Sequence, residues 1–318
     1  REVTVYNSNP ATSTNNAKIW EDFTKKTGIK VNLVVSDFEQ LKKKIRDDGQ
    51  DSQADILIGD DATQLTDATR ENLLQQTDND VLKAIVAPNL RSAKGYWYGL
   101  GSRAYVLIYA KSKIEPQHLK TYDSLTEEKF KGRILVGSSN LPKTLSFISA
   151  YLAKNAPTKT EKWTAGLVKN FARIPQGTDE DQIRAVAVGV GDIAIVSSDA
   201  LANLLTSDDL VDKDMASKVS VFFPNQKERG VFLNIIGAGV TRFAPHRADA
   251  IALLQYLTSA EGQKTLTDSL FTYPVNNLVP PTAFLQNWGK FKSDGIGVES
   301  YGRNALLASR IAEKAGWH

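Results

Sequence analysis

The amino-acid sequence predicts an α/β fold with two lobes joined by extended segments. The chain has 318 residues, and a chain of this length is usually too long to fold around a single hydrophobic core, so we expect two domains. Short β-rich runs alternate with amphipathic segments of helix length, which predicts parallel strands covered by helices. Twice, β-rich pieces follow one another with no helix between them, and these places indicate crossings between lobes.

The first part of the chain repeats a strand followed by a helix three times. VTVYNS at 3–8 is apolar and β-branched, which is typical of a strand. Ile19, Trp20 and Phe23 then recur at helical spacing before Gly28, which predicts a helix. The full set is strands at 3–8, 30–37 and 54–61, and helices at 15–26, 38–47 and 62–74. This order favours a parallel sheet.

Two stretches interrupt the alternation. Residues 95–111 hold two β-rich pieces back to back around 99–102, and residues 219–240 hold two more, separated by a polar turn. We predict that the chain enters a second lobe at the first stretch and returns at the second. The other predicted elements are strands at 132–138 and 192–198, and helices at 143–154, 159–171, 179–188, 246–259, 260–270 and 303–315.

Composition excludes several classes of site. The net charge of +3 and the pI of about 8.8 are too weakly basic to indicate a nucleic-acid partner. The absence of cysteine excludes disulfides, thiolate metal sites and cysteine nucleophiles. The chain has no run of about 18 apolar residues, so the sequence predicts no transmembrane helix. The chain begins at Arg1 without a hydrophobic leader, so we expect a mature or trimmed product.

Polar residues follow the predicted strands at the places where such a fold binds ligands. Two-lobed proteins of this kind bind a solute in a cleft and close around it. In open α/β sheets, ligands lie beyond the carboxyl ends of strands and at helix N-termini. This rule selects Ser8, Asn9, Asp60, Asp61, Ser138, Ser139, Asn140, Ser198 and Asp199.

Long stretches of the chain resemble one known family. They include FTKKTGIKVNLVVSD, ADILIGDDATQL, FARIPQGTDEDQIRAV, VFFPNQKERG and TYPVNNLVPP. On these stretches the chain is similar to the periplasmic ferric-ion-binding proteins of bacterial ABC importers, especially the cyanobacterial-type branch. The resemblance implies a two-lobe periplasmic-binding-protein clamshell, that is, a type II solute-binding protein with transferrin-like lobes. The lobes are predicted at 1–101 plus 230–276 and at 102–229 plus 277–318, with the ligand cleft between them.

The positions at which this family holds iron carry other residues here. The family binds Fe(III) through phenolate oxygens, often helped by a His or an exogenous anion. By the resemblance, members of the family have a tyrosine pair in the stretch that corresponds to 197–200 and an arginine at the position of Asn203. They have a further tyrosine in the stretch that corresponds to 140–143 and a His-Tyr pair in the stretch that corresponds to 9–12. This chain has none of those family residues at these positions. We therefore expect no metal bound in the usual Tyr/His manner, and we retain Asp199 and Asp60 as carboxylate candidates.

The predicted cleft offers hydrogen-bonding groups in place of those ligands. The neutral ones are Ser8, Asn9, Thr12, Ser13, Ser138, Ser139, Asn140, Ser198 and Asn203. Asp60, Asp61 and Asp199 add negative charge, and Arg103, which matches an arginine common in the family, adds positive charge. One interpretation keeps iron as cargo, with carboxylates and a chelator or bridging anion completing the shell. The other is an organic or anionic solute, and a third is a scaffold or sensor that carries nothing.

Several of these side chains have a structural alternative. Arg103 can hold the crossing segment by a salt bridge, and the turn at 138–140 can cap a helix instead of binding an anion. Tyr105 is predicted to pack in the core, whereas Tyr96 and Tyr98 either pack or reach the cleft. The histidines His118, His246 and His318 are predicted to be ordinary surface residues.

The resemblance and the residues together predict the solute-binding component of an iron-related ABC importer. We expect no resident cofactor, although Fe(III) or a ferric chelate is a candidate cargo. The expected partners are a membrane permease and a small solute or anion, and we expect no nucleic-acid partner. We expect a monomer that is periplasmic or lipid-tethered. No G-x-S-x-G elbow, Walker loop or H-E-x-x-H motif is present, so we do not expect an enzyme.

Overall fold

The computed structural model describes residues 1–9, 12 and 17–318, and these residues form two compact units. The first unit comprises 1–102, 235–282 and 297–302, and the second unit comprises 103–234, 283–296 and 303–318. Pro10, Ala11 and Ser13, which belong to the predicted first ligand loop, lie outside the described residues. No described helix has the length and apolar character needed to cross a membrane.

Strands and helices are intermixed along the described part of the chain. The strands are β1 (Glu2–Asn7), β2 (Lys30–Val35), β3 (Ile56–Gly59), β4 (Tyr98–Ala110), β5 (Ile134–Leu135), β6 (Ile193–Ser197), β7 (Val219–Phe222) and β8 (Leu233–Val240). The helices are α1 (Lys18–Thr27), α2 (Phe38–Asp48), α3 (Ala62–Arg70), α4 (Asp80–Ile85), α5 (Pro142–Lys154), α6 (Pro157–Asn170), α7 (Asp179–Ala187), α8 (Ser198–Leu205), α9 (Leu210–Ser217), α10 (Arg247–Thr258), α11 (Ala260–Leu270), α12 (Ala283–Asn287) and α13 (Glu299–Ala315).

The sheet of the first unit follows the order β2-β1-β3-β8. Strand β1 pairs in parallel with both β2 and β3, as the repeated strand-helix order predicts. Strand β8 is antiparallel to β3, with Ile56 opposite Val240. Trp20 and Phe23 of α1 are buried on one face of that helix, and the ring of Phe23 packs against Tyr256 of α10. The apolar spacing read from the sequence is therefore the core-facing side of α1.

The sheet of the second unit is mixed. Strand β6 is antiparallel to β4 and parallel to β5, while β7 pairs with the other edge of β4 in an antiparallel register. An aromatic cluster fills the core beside this sheet, where the ring of Phe147 contacts those of Tyr105, Tyr122 and Trp163. The carboxyl end of β6 leads directly into α8, and this junction carries the charged residues described below.

Strand β4 corrects the prediction of two β-rich pieces broken around 99–102. It runs without interruption from Tyr98 to Ala110. A Cβ atom at Gly99 would lie 2.7 Å from the carbonyl oxygen of Leu90, and one at Gly101 would lie 2.4 Å from Oγ1 of Thr272. These glycines allow neighbouring chain to approach closely, and they do not mark a turn.

The chain crosses between the units within its long strands. The first crossing lies in β4 between Ser102 and Arg103, and the return lies in β8 between Asn234 and Ile235. Later segments differ from the predicted lobe ranges, because 277–282 and 297–302 pack in the first unit. Within that unit, Val298 N donates a hydrogen bond to the Asn89 carbonyl at 3.0 Å, which holds the 297–302 segment in place.

Candidate functional site

The strand-end residues of the first unit are tied together by hydrogen bonds. Asn9 Nδ2 donates to Oδ1 of Asp60 at 3.0 Å, and Asn9 N donates to Oδ1 of Asn7 at 2.9 Å. Ser8 Oγ donates to the Ile58 carbonyl at 3.0 Å, joining the ends of β1 and β3. Ser8, Asn9 and Asp60, which the strand-end rule selects, therefore lie close together in the structure. Asp60 is only partly buried.

Thr12 and Asp61 have structural roles in the same unit. Asn7 Nδ2 donates to both the carbonyl and Oγ1 of Thr12, and Trp20 Nε1 donates to the same carbonyl at 3.0 Å. Asp61 is the N-cap of α3, where its Oδ1 accepts from Thr63 N at 2.8 Å and from Thr63 Oγ1 at 2.6 Å. Such a cap satisfies backbone donors that the helix leaves unpaired.

Arg103 and Asp199 form a buried ion pair in the second unit. Nε of Arg103 lies 3.2 Å from Oδ2 of Asp199, and the side chains are 4% and 9% exposed. Burial by itself raises the pKa of Asp199, but the positive charges of Lys143 and Arg103, together with hydrogen bonds from the Ser197 hydroxyl and a backbone N–H group, hold that pKa below its usual value. Asp199 also lies in the first turn of α8, where the helix dipole favours a negative charge. The salt-bridge alternative for Arg103 is therefore present in the structure.

Two further candidates of α8 are held by neighbouring elements. The hydroxyl of Ser198 accepts a hydrogen bond from Ala104 N at 3.0 Å, which ties the start of α8 to β4. Asn203 Nδ2 donates to Oε1 of Glu180 at 3.0 Å, which ties α8 to α7. The two contacts fix the orientation of α8 beside the ion pair.

The turn before α5 does not cap that helix with a side chain. Asn140 N donates to Ser138 Oγ at 3.1 Å, while Ser139 Oγ donates to the carbonyl of Trp317 at 2.6 Å. The N-cap of α5 is Leu141, which makes no side-chain cap. Ser139 is buried and Asn140 is exposed, so the three predicted residues point to different environments.

Sequence reasoning missed two charged residues near the ion pair, Asp179 and Lys143. Asp179 is the first residue of α7, and its Oδ2 accepts from Ser197 N at 2.8 Å. Burial of the carboxyl raises the pKa of Asp179 to about 6, although Lys143 and the Ser197 N–H group act in the opposite direction. Thr178 and Asp181 form a capping box that marks the start of α7, but that signal locates the helix and not its neighbours.

Arg103, Lys143, Asp179 and Asp199, here called the charged quartet, carry no net formal charge. Lys143 interacts electrostatically with both carboxylates, and Asp179 and Asp199 interact with each other. Within residues 1–9, 12 and 17–318, no group of three or more His, Cys, Asp or Glu side chains is arranged to hold a metal ion. The second unit therefore offers compensated charges and hydrogen-bond donors at the β6–α8 junction.

The tyrosines and histidines discussed from the sequence occupy distinct environments. Tyr98 is fully buried and donates to the Thr77 carbonyl at 2.5 Å, so it packs in the first unit. Tyr105 is buried, as predicted, with its hydroxyl donating to the Lys143 carbonyl at 2.7 Å. His118 and His318 are exposed.

His246 corrects the expectation of an ordinary surface histidine. Its Nδ1 lies 3.1 Å from Oδ2 of Asp55, and its backbone N donates to Oδ1 of the same residue at 2.6 Å. Asp55 is completely buried and also accepts from Thr4 N at 2.8 Å. His246 therefore helps to satisfy a buried carboxylate at the start of α10.

Comparison with known proteins gives matches along nearly the whole chain. The profile of the family described as bacterial extracellular solute-binding protein matches residues 18–293. "Iron uptake protein A1" of Synechocystis sp. is 35% identical over 317 residues, covering 100% of this chain and 88% of that protein. "Iron uptake protein A2" of the same organism is 38% identical over 289 residues, covering 90% of this chain and 84% of that protein.

A solved structure has a similar fold over the same length. It is described as "Trichodesmium (IdiA) (FutA) in complex with iron and citrate ligands", is 37% identical, covers 100% of both chains and superposes with a TM-score of 0.97. This likeness covers both units of the chain.

Proposed function

Because the chain belongs to the family of bacterial extracellular solute-binding proteins, we propose that it is the solute-binding component of an ABC importer for iron. The observation that carries this proposal is the similarity to two proteins named for iron uptake, at 35% and 38% identity across most of their length. The family is described by the binding of solutes. We further propose a monomer without catalytic activity, periplasmic or lipid-tethered, that delivers its solute to a membrane permease.

We propose that the cargo is a ferric chelate and not the bare ion. Bare Fe(III) is best held by several anionic oxygens, but the carboxylates predicted as ligands already have partners. Asp199 pairs with Arg103, Asp61 caps α3, and Asp60 accepts from Asn9. A ferric chelate brings its own oxygen ligands, so the protein needs to supply only hydrogen bonds and compensating charge.

The polar strand-end residues of each unit remain our proposed solute contacts. In the first unit these contacts are Asn9 and Asp60. In the second unit they are Asn140 and the charged quartet. Asp60 is only partly buried and Asn140 is exposed, which supports a role in contacting solute.

The test is a titration of the purified protein with ferric citrate, followed by melting temperature and visible absorbance. We expect ferric citrate to raise the melting temperature, because a ligand that binds only the folded state stabilises it. We expect no visible band from tyrosinate bonded to iron. A strong band of that kind would contradict the proposed chelate, and no stabilisation by ferric citrate would contradict the iron assignment.

A matched pair of variants tests the contacts. Lys143→Gln should weaken ferric citrate binding by roughly tenfold, about the contribution of one charge-assisted hydrogen bond to a citrate carboxylate. Lys43→Gln is the control, because Lys43 pairs with Asp47 on the exposed face of α2. Equal affinities of the two variants would remove Lys143 from the site.

An organic anion is the second candidate cargo. Lys143 and Arg103 place two cations in the second unit, and Lys143 lies in the first turn of α5, where helix N-termini favour anions. Citrate without iron is the discriminating ligand in the same titration. Equal stabilisation by citrate and ferric citrate would favour the organic anion over iron.

A further inference from the structure

A cavity lies wholly within the second unit, and none of the predicted solute contacts is among the described residues that line it. Its volume is about 430 Å³. This is within the range of about 300–1,000 Å³ that small-molecule sites occupy. Its lining combines two aromatic rings with acidic and basic side chains, so it has the composition of a binding site and not of a packing defect.

The aromatic walls of the cavity are held rigidly. The ring of Tyr151 stacks on Trp163 with 3.8 Å between centroids and an angle of 4° between planes. The Tyr151 hydroxyl donates to Oδ1 of Asp123 at 2.5 Å, which fixes the ring at its other end. Phe232 stacks on Tyr122 at 4.7 Å. A ligand entering here meets preformed apolar surfaces and loses little free energy to ordering the protein.

Asp294 supplies a buried negative charge to the cavity. The residue is 5% exposed, and its Oδ2 atom has no hydrogen-bond partner among the described residues. The nearest cation is Nζ of Lys154, which lies 3.8 Å from Oδ1 and is too far for a hydrogen bond. Buried carboxylates are normally hydrogen-bonded, so a ligand with N–H donors would satisfy this one.

Positive charge lies at the same cavity. The backbone N–H groups of Glu228 and Gly230 both donate to the Asn225 carbonyl, at 3.1 and 2.8 Å, and this tight loop carries Arg229. Lys159 of α6 also lines the cavity. Both side chains are exposed, and neither forms an ion pair within the described part of the chain. They are available to bind an anionic group of a ligand.

We propose that this cavity binds a small zwitterion, namely an α-amino acid. The ammonium group donates to Asp294, the carboxylate is held by Arg229 and Lys159, and the side chain packs between Tyr151 and Phe232. An ammonium group also gains from the faces of aromatic rings. A simple anion leaves Asp294 unsatisfied, and a simple amine leaves the two cations unpaired. The site lies in one unit and is separate from the proposed iron-chelate contacts.

The test screens the 318-residue protein against each of the twenty L-α-amino acids by melting temperature, followed by calorimetry on the best ligand. We expect at least one amino acid to stabilise the protein, and neither its decarboxylated amine nor its deaminated acid to do so. Asp294→Asn and Arg229→Gln should each lower the affinity about tenfold or more, because each removes one charged contact. Lys131→Gln is the control, because Lys131 is exposed and does not line the cavity.

Three results would overturn the proposal. The first is that no amino acid raises the melting temperature. The second is that the deaminated acid binds as tightly as the amino acid. The third is that Arg229→Gln and Asp294→Asn both bind like the parent protein. Arg229 is on the surface, so its variant keeps the test valid even if the change at buried Asp294 disturbs folding. The result is independent of ferric citrate binding, which is measured in the same variants.

Discussion

Nε of Arg103 lies 3.2 Å from Oδ2 of Asp199, although β4 carries the arginine and α8 carries the aspartate. Both side chains are more than nine-tenths buried. Charges removed from water in this way are stabilised mainly by each other, and a partner left alone is costly.

Removing one member of this pair should destabilise the protein strongly. Arg103→Met should lower the free energy of unfolding by about 3 kcal/mol, because the buried Asp199 carboxylate loses its ion-pair partner and keeps only the electrostatic contribution of Lys143. Arg103→Met with Asp199→Leu should recover much of that loss. Arg133→Met is the control, because its pair with Asp192 is more exposed and should cost less. Urea unfolding measures all four proteins, and a double variant no more stable than the single one would contradict the pairing.

Asp179 should give the protein a distinct pH dependence. Its pKa of about 6 in the folded state lies above the usual value of 3.8, so the folded state binds the proton more tightly than the unfolded state does. The stability that this group contributes is therefore complete below about pH 4 and is lost as the pH rises towards 6.

The variant Asp179→Asn isolates this effect, because the amide oxygen can still accept from Ser197 N. The free energy of unfolding of the variant, relative to the parent, should rise by roughly 1–2 kcal/mol between pH 4 and 6 and stay level above it. Urea unfolding at each pH measures the difference. A difference that does not vary with pH would show that the folded-state pKa is not raised.

Gly230 and Gly289 provide a matched test of close backbone packing in the second unit. Both have positive φ, at 98° and 86°. A Cβ at Gly230 would lie 2.4 Å from the Lys292 carbonyl oxygen, whereas one at Gly289 meets open space. Gly289→Ala should cost about 1 kcal/mol for the left-handed backbone. Gly230→Ala should cost roughly 1–3 kcal/mol more for the overlap, and equal melting temperatures would contradict this.

Trp317 should anchor the end of the chain. It is fully buried, and its Nε1 donates to the Gly137 carbonyl at 3.0 Å. Trp317→Ala should lower the free energy of unfolding by about 3–5 kcal/mol, as expected for loss of a buried aromatic side chain. His318→Ala, which changes an exposed neighbour, should alter it by less than about 0.5 kcal/mol. Thermal unfolding of the two variants decides the matter.

Much of the fold was predictable because local periodicity follows burial. Ile19, Trp20 and Phe23 recur at helical spacing and are buried in α1, and the strand-helix order of the first unit gave its parallel pairs. The helix α8 was missed because SDALANLL is buried on most of its surface, including Ser198 and Asp199, and so lacks a clear polar face. The glycines of β4 were misread because glycine marks both turns and close approaches.

The candidate site was only partly predictable. The strand-end rule predicted Asp60 and Asp199, which lie just after the ends of β3 and β6, because strand ends are visible in the sequence. It did not find Asp179, whose contact with Ser197 depends on how α7 packs against β6. The pairing of Arg103 with Asp199 likewise joins residues far apart in the chain, and no local pattern specifies such a partner.

The interleaving of the two units has a consequence for synthesis of the protein. The first unit includes 235–282 and 297–302, so a ribosome that has made only 1–102 has not yet supplied all of its parts. The second unit is likewise incomplete until 303–318 emerges. Domains that are continuous can fold in order as they emerge. Here the final packing of the first unit must wait for residues 297–302, and that of the second unit for residues 303–318.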